Sequence, residues 1–343
     1  MDAEASPRIL ISRLSAIGDC ILTLPLACAV RKHFPRAFIG WVVQGGAAAL
    51  LEGHPAIDRL VVAKKGWLQS PQETMRLRRE LRALEFDVAL DPQSLSKSAI
   101  AAWLSGAPQR IGLARPQGRE LAPLLNNQTV APRTTHVATR QLELLRPLGV
   151  EETEVRFGLA AQPEAARAVD AFLERSHLQN GFVAINPGAG WDSRLWPPVR
   201  FGRVARFLGE RRRLPSIVVW SGAREKAWAE EIVAHAGGHA MLAPQTTLPE
   251  LAALAAAARL FVSSDTGPLH LAAAMGTPCV SLHGPTRPEV SGPYGEQHQS
   301  VQAFYQGGRN RRGADNRAML AIGVEDVCQA CTRLLARGQG HAA

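Results

Sequence analysis

Residues 260–286, LFVSSDTGPLHLAAAMGTPCVSLHGPT, set an apolar run directly before Ser263-Ser264-Asp265-Thr266-Gly267, followed by Pro268 and a short helical pattern that closes at Gly276. Proline suits the first turn of a helix, because the N–H it lacks has no helical partner there. A strand tip running into a helix N-terminus offers unsatisfied N–H groups and an aligned dipole, and both favour phosphate. Asp265 adds the opposite preference, since a carboxylate repels phosphate and accepts hydrogen bonds from hydroxyls. Together they point to a ligand carrying both groups, such as a nucleotide sugar. The competing structural reading is that Asp265 and Thr266 cap the helix. His270, inside that helix, reads as a ligand contact or as a core histidine, and its isolation favours the core.

Three further loops carry candidate chemistry. Ser15-Ala16-Ile17-Gly18-Asp19 delivers a carboxylate at a helix start, where it serves as an N-cap or as a reactive group. Asn186-Pro187-Gly188-Ala189-Gly190-Trp191-Asp192-Ser193-Arg194 combines glycines, which let backbone N–H groups approach a diphosphate, with a guanidinium that binds it through paired donors. Ser221-Gly222-Ala223-Arg224-Glu225 presents an acid to ribose hydroxyls or to the helix dipole. Cations gather in the first half at Lys64-Lys65, Lys97, Arg110, Arg115 and Arg119, with Arg76, Arg78, Arg79 and Arg82 along one basic helix. Such runs are usually solvated, but loop cations also hold anions. The G-x-G-x-x-G dinucleotide fingerprint, the Walker P-loop, HExxH and G-x-S-x-G are all absent, which disfavours nicotinamide enzymes, P-loop NTPases, zinc proteases and α/β-hydrolases.

The elements that position these loops alternate as strand and helix. Strands are predicted at 8–12, 38–43, 59–63, 86–90 and 110–113, and helices at 20–33, 46–53, 72–84, 96–104 and 136–148, with an irregular stretch at 114–135. The same grammar restarts with strands at 182–186 and 216–220 and helices at 199–210, 225–236 and 248–260. Repeated apolar βα units imply parallel sheets covered on both faces. A linker falls near 159–162, so 1–160 and 161–336 are expected as two domains, in keeping with a length of 343 residues. The chain carries a net charge of +9, which fits phosphorylated small molecules, an anionic membrane surface or nucleic acid. Only 2 tyrosines and no basic tract with interleaved aromatics argue against a nucleic-acid stacking platform. The N-terminus lacks a signal-peptide pattern, and no apolar stretch reaches bilayer length. The 5 cysteines are an odd, scattered set, as in a reducing cytoplasm, and Cys328-x-x-Cys331 reads as two helix-face thiols for want of a second ligand pair.

Five ordered segments, LSAIGDCILTLP (14–25), DPQSLSKSA (91–99), NPGAGWDSRLWP (186–197), SSDTGPLHLAAAMGTP (263–278) and HGPTRPE (283–289), resemble glycosyltransferase family 9, the ADP-heptose:lipopolysaccharide heptosyltransferases. The likeness spans nearly the whole chain and is greatest to the heptosyltransferase I branch. It implies a GT-B fold, two Rossmann-like doubly wound domains facing a central cleft, and an inverting, metal-independent transfer without a cofactor. It also implies that Asp19 is the general base, and that Arg194, Glu225, Thr246, Asp265, Thr266, Gly267, Pro268, Leu269 and His270 bind an ADP-sugar donor. Lys64, Lys65, Lys97 and Arg119 fall where cations hold an anionic glycolipid acceptor of the Kdo-lipid A type. The implied location is cytoplasmic, peripheral at the inner face of the cytoplasmic membrane. Two departures bear on the donor: Arg194 replaces a family lysine, and Ala189-Gly190 stands where the heptosyltransferase I branch has hydroxyl residues. The resemblance leaves open another nucleotide sugar or acceptor, or a non-catalytic protein of the same fold.

Overall fold

The computed structural model describes residues 6–151, 154–308 and 313–339. The chain divides between Gly158 and Leu159 into two compact units.

Unit 1 runs β1 (Arg8–Ser12), α1 (Ile17–Ile21), α2 (Leu24–His33), β2 (Phe38–Gln44), α3 (Ala48–Leu51), β3 (Arg59–Ala63), α4 (Pro71–Arg82), β4 (Val88–Asp91), α5 (Ser96–Leu104), β5 (Gln109–Leu113), α6 (Ala122–Leu125), β6 (Gln128–Val130) and α7 (Val137–Leu142). All pairings are parallel, in the order β3-β2-β1-β4-β5-β6. The central strands are apolar almost throughout because helices cover both faces. On one face Leu77 and Leu81 of α4 and Ala101 and Ala102 of α5 close over Leu10, Val42 and Ala89.

The predicted helix 20–33 is two helices. Pro25 has no N–H for a bond to Ile21, so the chain breaks at Leu22-Thr23 and restarts at Leu24, with the Thr23 hydroxyl donating to the Asp19 carbonyl at 2.8 Å. The predicted helix 46–53 shortens to a 3₁₀ turn, Gly45–Ala47, and α3. The predicted helix 136–148 tightens into 3₁₀ geometry over Glu143–Leu148, which contains Pro147. The stretch 114–135, expected to be irregular, holds α6 and the edge strand β6.

Unit 2 runs α8 (Pro163–Arg175), β7 (Val183–Asn186), α9 (Pro198–Arg212), β8 (Ser216–Val218), α10 (Gly222–His235), β9 (Ala240–Leu242), α11 (Leu248–Ala257), β10 (Leu260–Ser264), α12 (Gly267–Ala274), β11 (Cys279–Leu282), α13 (Pro288–Ser291), β12 (Gln299–Val301), α14 (Arg317–Leu320) and α15 (Val324–Gln339). The parallel order is β12-β11-β10-β7-β8-β9. The helix predicted to reach residue 260 stops at Ala257. Ala258 turns extended and the Arg259 N–H donates to the Phe182 carbonyl at 2.9 Å, drawing Leu260 into the sheet. In the core, Trp196 meets Phe201 edge-on with ring centroids 4.8 Å apart. Cys328 and Cys331 lie in the same core, where burial pushes the Cys328 thiol up to about 11 and raises Cys331 as well. Among the described residues no helix is long and apolar enough to cross a membrane.

Candidate active site

In each unit the strand order reverses between two adjacent central strands, β1 and β4 in one and β7 and β10 in the other. Loops leaving neighbouring strands in opposite directions open a crevice at the carboxyl end of the sheet, the usual ligand site of doubly wound folds. The turn and helix start after β1 carry Asp19, and the end of β4 with the turn into α5 carries Asp91 to Lys97. The loop after β7 carries Gly188 to Arg194, and the turn and helix start after β10 carry Asp265 to His270.

In unit 1 the two crevice loops are tied together by Arg13. Its Nη1 donates to the Pro92 carbonyl at 3.3 Å, and its Nη2 lies 3.0 Å from Asp19 Oδ1. The Leu14 N–H donates to Gln93 Oε1 at 2.9 Å. Asp19 is therefore the third residue of its helix and not an N-cap, with Oδ2 accepting the Ala16 N–H at 3.2 Å. Its side chain is 48% exposed against 7% for Arg13, so a buried cation holds an accessible carboxylate. Lys97 Nζ donates to Ser15 Oγ, and burial, with Arg13 nearby, lowers its pKa. Burial and Arg13 likewise lower the pKa of half-buried Arg140 on α7, while Asp19 opposes them. The Nε atoms of Arg13 and Arg140 are buried without a partner. Beneath this cluster Asp91 is fully buried, accepting the Ser94 N–H at 2.8 Å and Asn126 Nδ2 at 2.9 Å, and burial pushes its carboxyl up to about 6.

In unit 2 the Asp265 carboxylate is 4% exposed and lies among cationic and donor groups. Oδ1 is 3.1 Å from His270 Nε2, while Oδ2 is 3.6 Å from Arg194 Nη2 and 3.5 Å from the Ser291 hydroxyl. Burial would raise this carboxyl, yet its bond to His270 and the charge of Arg194 outweigh it and hold the group well below the usual range. Arg194 also donates through Nη1 to the Asp265 carbonyl at 2.7 Å, and its guanidinium stacks 3.8 Å above the Trp191 ring. Asn186 Nδ2, at the end of β7, donates to Ser263 Oγ at 2.9 Å and to Thr266 Oγ1 at 3.3 Å. Thr266 and Asp265 thus spend their side chains on the crevice, and neither makes the helix-cap bond. Gly267 and Pro268 open α12, and Leu269 is buried behind them. His283 bonds Thr286 and Ser281 through its two ring nitrogens, and burial keeps it neutral by lowering its pKa to about 4.

Glu225 accepts the Ser221 N–H at 2.8 Å and is raised by burial. It also explains one glycine: a Cβ at Gly188 would lie 2.4 Å from Glu225 Oε1. Thr246 lines a cavity of about 220 Å³ with Phe172, Pro244 and Leu254.

Asp19 and Lys97 therefore share one crevice, and Arg194, Asp265, Thr266, Gly267 and His270 share another. Lys64 is instead paired with Glu73 at 2.6 Å at the end of edge strand β3, Lys65 is exposed beside it, and exposed Arg119 donates its backbone N–H to the Ser94 carbonyl at 3.0 Å. The sequence reading overlooked Arg13, Arg140 and Ser291 and gave Asn186 no role of its own. Arg13 carried a signal, a cation immediately after an apolar strand, whereas the other three are visible only through their partners.

Residues 74–318 match the sequence model of glycosyltransferase family 9 (heptosyltransferase). Lipopolysaccharide heptosyltransferase 1 of Pseudomonas aeruginosa is 32% identical over 304 residues, which is 84% of this chain and 81% of that relative. A family 9 glycosyl transferase from Veillonella parvula, 23% identical, superposes with a TM-score of 0.81 over 98% of this chain and 99% of its own. The E. coli heptosyltransferase WaaC solved with ADP, 24% identical, does so at 0.77 over 95% and 99%. These likenesses establish the two-domain GT-B architecture.

Proposed function

The chain belongs to glycosyltransferase family 9, and from that premise we propose that it transfers heptose, with inversion, from an ADP-heptose donor to a Kdo-lipid A-type acceptor in lipopolysaccharide core synthesis. Unit 1 serves the acceptor and unit 2 the donor. The observation that carries this reading is that both candidate carboxylates, Asp19 and Asp265, fall at the switch point of their own sheet, each beside cations.

The acceptor hydroxyl attacks the anomeric carbon as the bond to the diphosphate oxygen breaks, and ADP leaves with the bonding electrons. The hydroxyl proton passes to the Asp19 carboxylate, which Arg13 and the Ala16 N–H orient. Lys97 and Arg140 supply positive charge for anionic acceptor groups, with Lys64, Lys65 and Arg119 further out. On the donor side Arg194 offsets the charge developing on ADP, and the α12 N-terminus offers backbone N–H groups to phosphate. Asp265 is a hydroxyl acceptor for the sugar, with His270 and Arg194 fixing its orientation, and Glu225 meets the ribose. Thr246 borders the nucleotide. The protein works in the cytoplasm, in peripheral contact with the inner membrane surface, where an amphipathic acceptor is presented.

The test offers the purified protein ADP-, GDP- and UDP-sugars with Kdo-containing acceptors and detects product by mass. Asp19→Ala should abolish transfer while ADP affinity stays near that of the wild type. Substantial residual turnover would remove the base assignment, and transfer only from another nucleotide sugar would overturn the donor.

A further inference from the structure

We propose that the outer surface of the α4, α5 and α6 layer of unit 1 is the face that rests on an anionic lipid bilayer, with Trp103, Leu121 and Leu124 entering the interface. The inference deepens the membrane-contact part of the function proposed above and rests on it.

Among the described residues, large apolar side chains exposed to solvent concentrate here: Leu68, Met75, Trp103, Leu121 and Leu124 all belong to this layer or to the turn that leads into it. Trp103 and Leu121 are each 53% exposed and Leu124 is 79% exposed. Three of these share one surface. On α5, Ser96, Ile100 and Trp103 follow the outward stripe, while Ala99, Ala101, Ala102 and Leu104 are buried. The Leu121 N–H donates to Ser96 Oγ at 3.2 Å. Arg110 donates to the Leu125 carbonyl at 3.0 Å and to the Ala107 carbonyl at 2.8 Å. So α6 begins beside the first turn of α5 and ends beside the loop that follows it, which sets Leu121 and Leu124 alongside the stripe that ends in Trp103. On the other flank α4 packs against α5, and the Arg82 guanidinium lies against Gly106, just past Trp103.

The charge around this patch selects its partner. Between residues 96 and 130, leaving aside Lys97, which is turned to Ser15 in the crevice, the chain carries Arg110, Arg115 and Arg119 against the single acid Glu120, which already accepts the Ser96 N–H at 3.0 Å. Exposed Arg79 and Arg82 continue the positive border along α4, where Glu73 and Glu80 are paired with Lys64 and Arg76. An indole and two leucines with cations on the neighbouring segments suit the boundary between acyl chains and anionic headgroups, where Trp is favoured and each nearby cation adds attraction.

Sedimentation of the full chain with phosphatidylglycerol/phosphatidylethanolamine vesicles should pellet the protein, and phosphatidylcholine vesicles should leave it in solution. Trp103→Ser combined with Leu124→Ser should lower the partition coefficient on anionic vesicles roughly tenfold or more without moving the thermal melt. Leu124→Ser alone, at a side chain that contributes little to the fold, should show part of the same loss. Wild-type protein that ignores anionic vesicles, a double variant that binds them as well as the wild type, or equal binding to both vesicle types overturns the proposal. Self-association that the double variant abolishes, without vesicle binding, would assign the face to a second copy and overturn it too. Vesicle binding is read without donor or acceptor sugar. Heptose transfer to a deacylated acceptor with no vesicle binding would therefore defeat this inference alone, and vesicle binding without transfer would defeat the function alone.

Discussion

Asp91→Asn is expected to stabilise unit 1 at neutral pH, although it removes a fully buried charge beneath the candidate base. Burial raises the Asp91 carboxyl from 3.8 to about 6, against the opposing pull of Asn126, Ser94 and Arg13. A carboxyl whose native pKa lies above its unfolded value binds its proton more tightly when folded. Stability is then greatest below 3.8, declines as pH rises through about 6, and is level above that. The difference corresponds to about 3 kcal/mol. Asparagine has nearly the same shape and needs no ionisation. Its Nδ2 would face Asn126 Nδ2, a donor meeting a donor, but Asn126 Oδ1 is buried without a partner. A flip of the Asn126 amide would give the new Nδ2 an acceptor and leave the Asn126 Nδ2 unpaired in place of its oxygen, while the amide oxygen of the substituted side chain keeps the Ser94 N–H. Allowing for imperfect geometry, the gain should be roughly 1–3 kcal/mol at pH 7.5 and vanish near pH 4. Urea unfolding of the wild type and the variant at several pH values between 4 and 8, following the unit 1 transition, measures the gap. His283 and His298, which burial lowers to about 4, pull the other way as pH falls, but they are common to both proteins and cancel in the difference. A gap that is constant with pH, or that widens towards acid, would refute the reasoning.

Arg194→Ala should weaken ADP-sugar binding about tenfold or more and cost about 2 kcal/mol of unit 2 stability, because it leaves a buried carbonyl and carboxylate short of a charged donor. Arg194→Lys should restore part of the affinity by restoring the charge, and calorimetry with ADP separates the three proteins. Gly188→Ala should displace the Glu225 carboxylate and break its 2.8 Å bond to Ser221; a KM for donor that does not rise would contradict the proposed ribose contact. The His283 ring signals should stay flat from pH 8 to 5 in an NMR titration. Because its native pKa is depressed, the stability this residue contributes is complete above 6.5 and is lost as pH falls towards about 4.

The amino-acid sequence by itself determined the doubly wound class, the two-fold repetition of the pattern and most central elements. Strands β1 and β3 and helix α5 appear at the residues where apolar runs and turn signals put them; β1, covered on both faces, reads as an unbroken apolar run. Edge strands β6, β9 and β12 are only three residues long and partly exposed, so their pairing is decided by a neighbouring strand and leaves no pattern of its own. Helix α8 was legible but overlooked: Pro163 opens it, and Ala165, Val169 and Leu173 repeat at one-turn spacing. The carboxylates Asp19 and Asp265 were also legible, since each follows an apolar strand in a small-residue turn. What surrounds them was not. Local sequence weighed Asp265 evenly between a cap and a ligand, and His270 towards the core. The tertiary structure turned Asp265 into the crevice and set His270, Arg194 and Ser291 upon it. Arg13 meets Asp19 and Pro92 because β1 and β4 are neighbours in the sheet, although the two loops lie far apart along the chain. Adjacency of this kind comes from strand order, which is fixed by packing the whole sheet against its helices, and no local stretch of sequence encodes it.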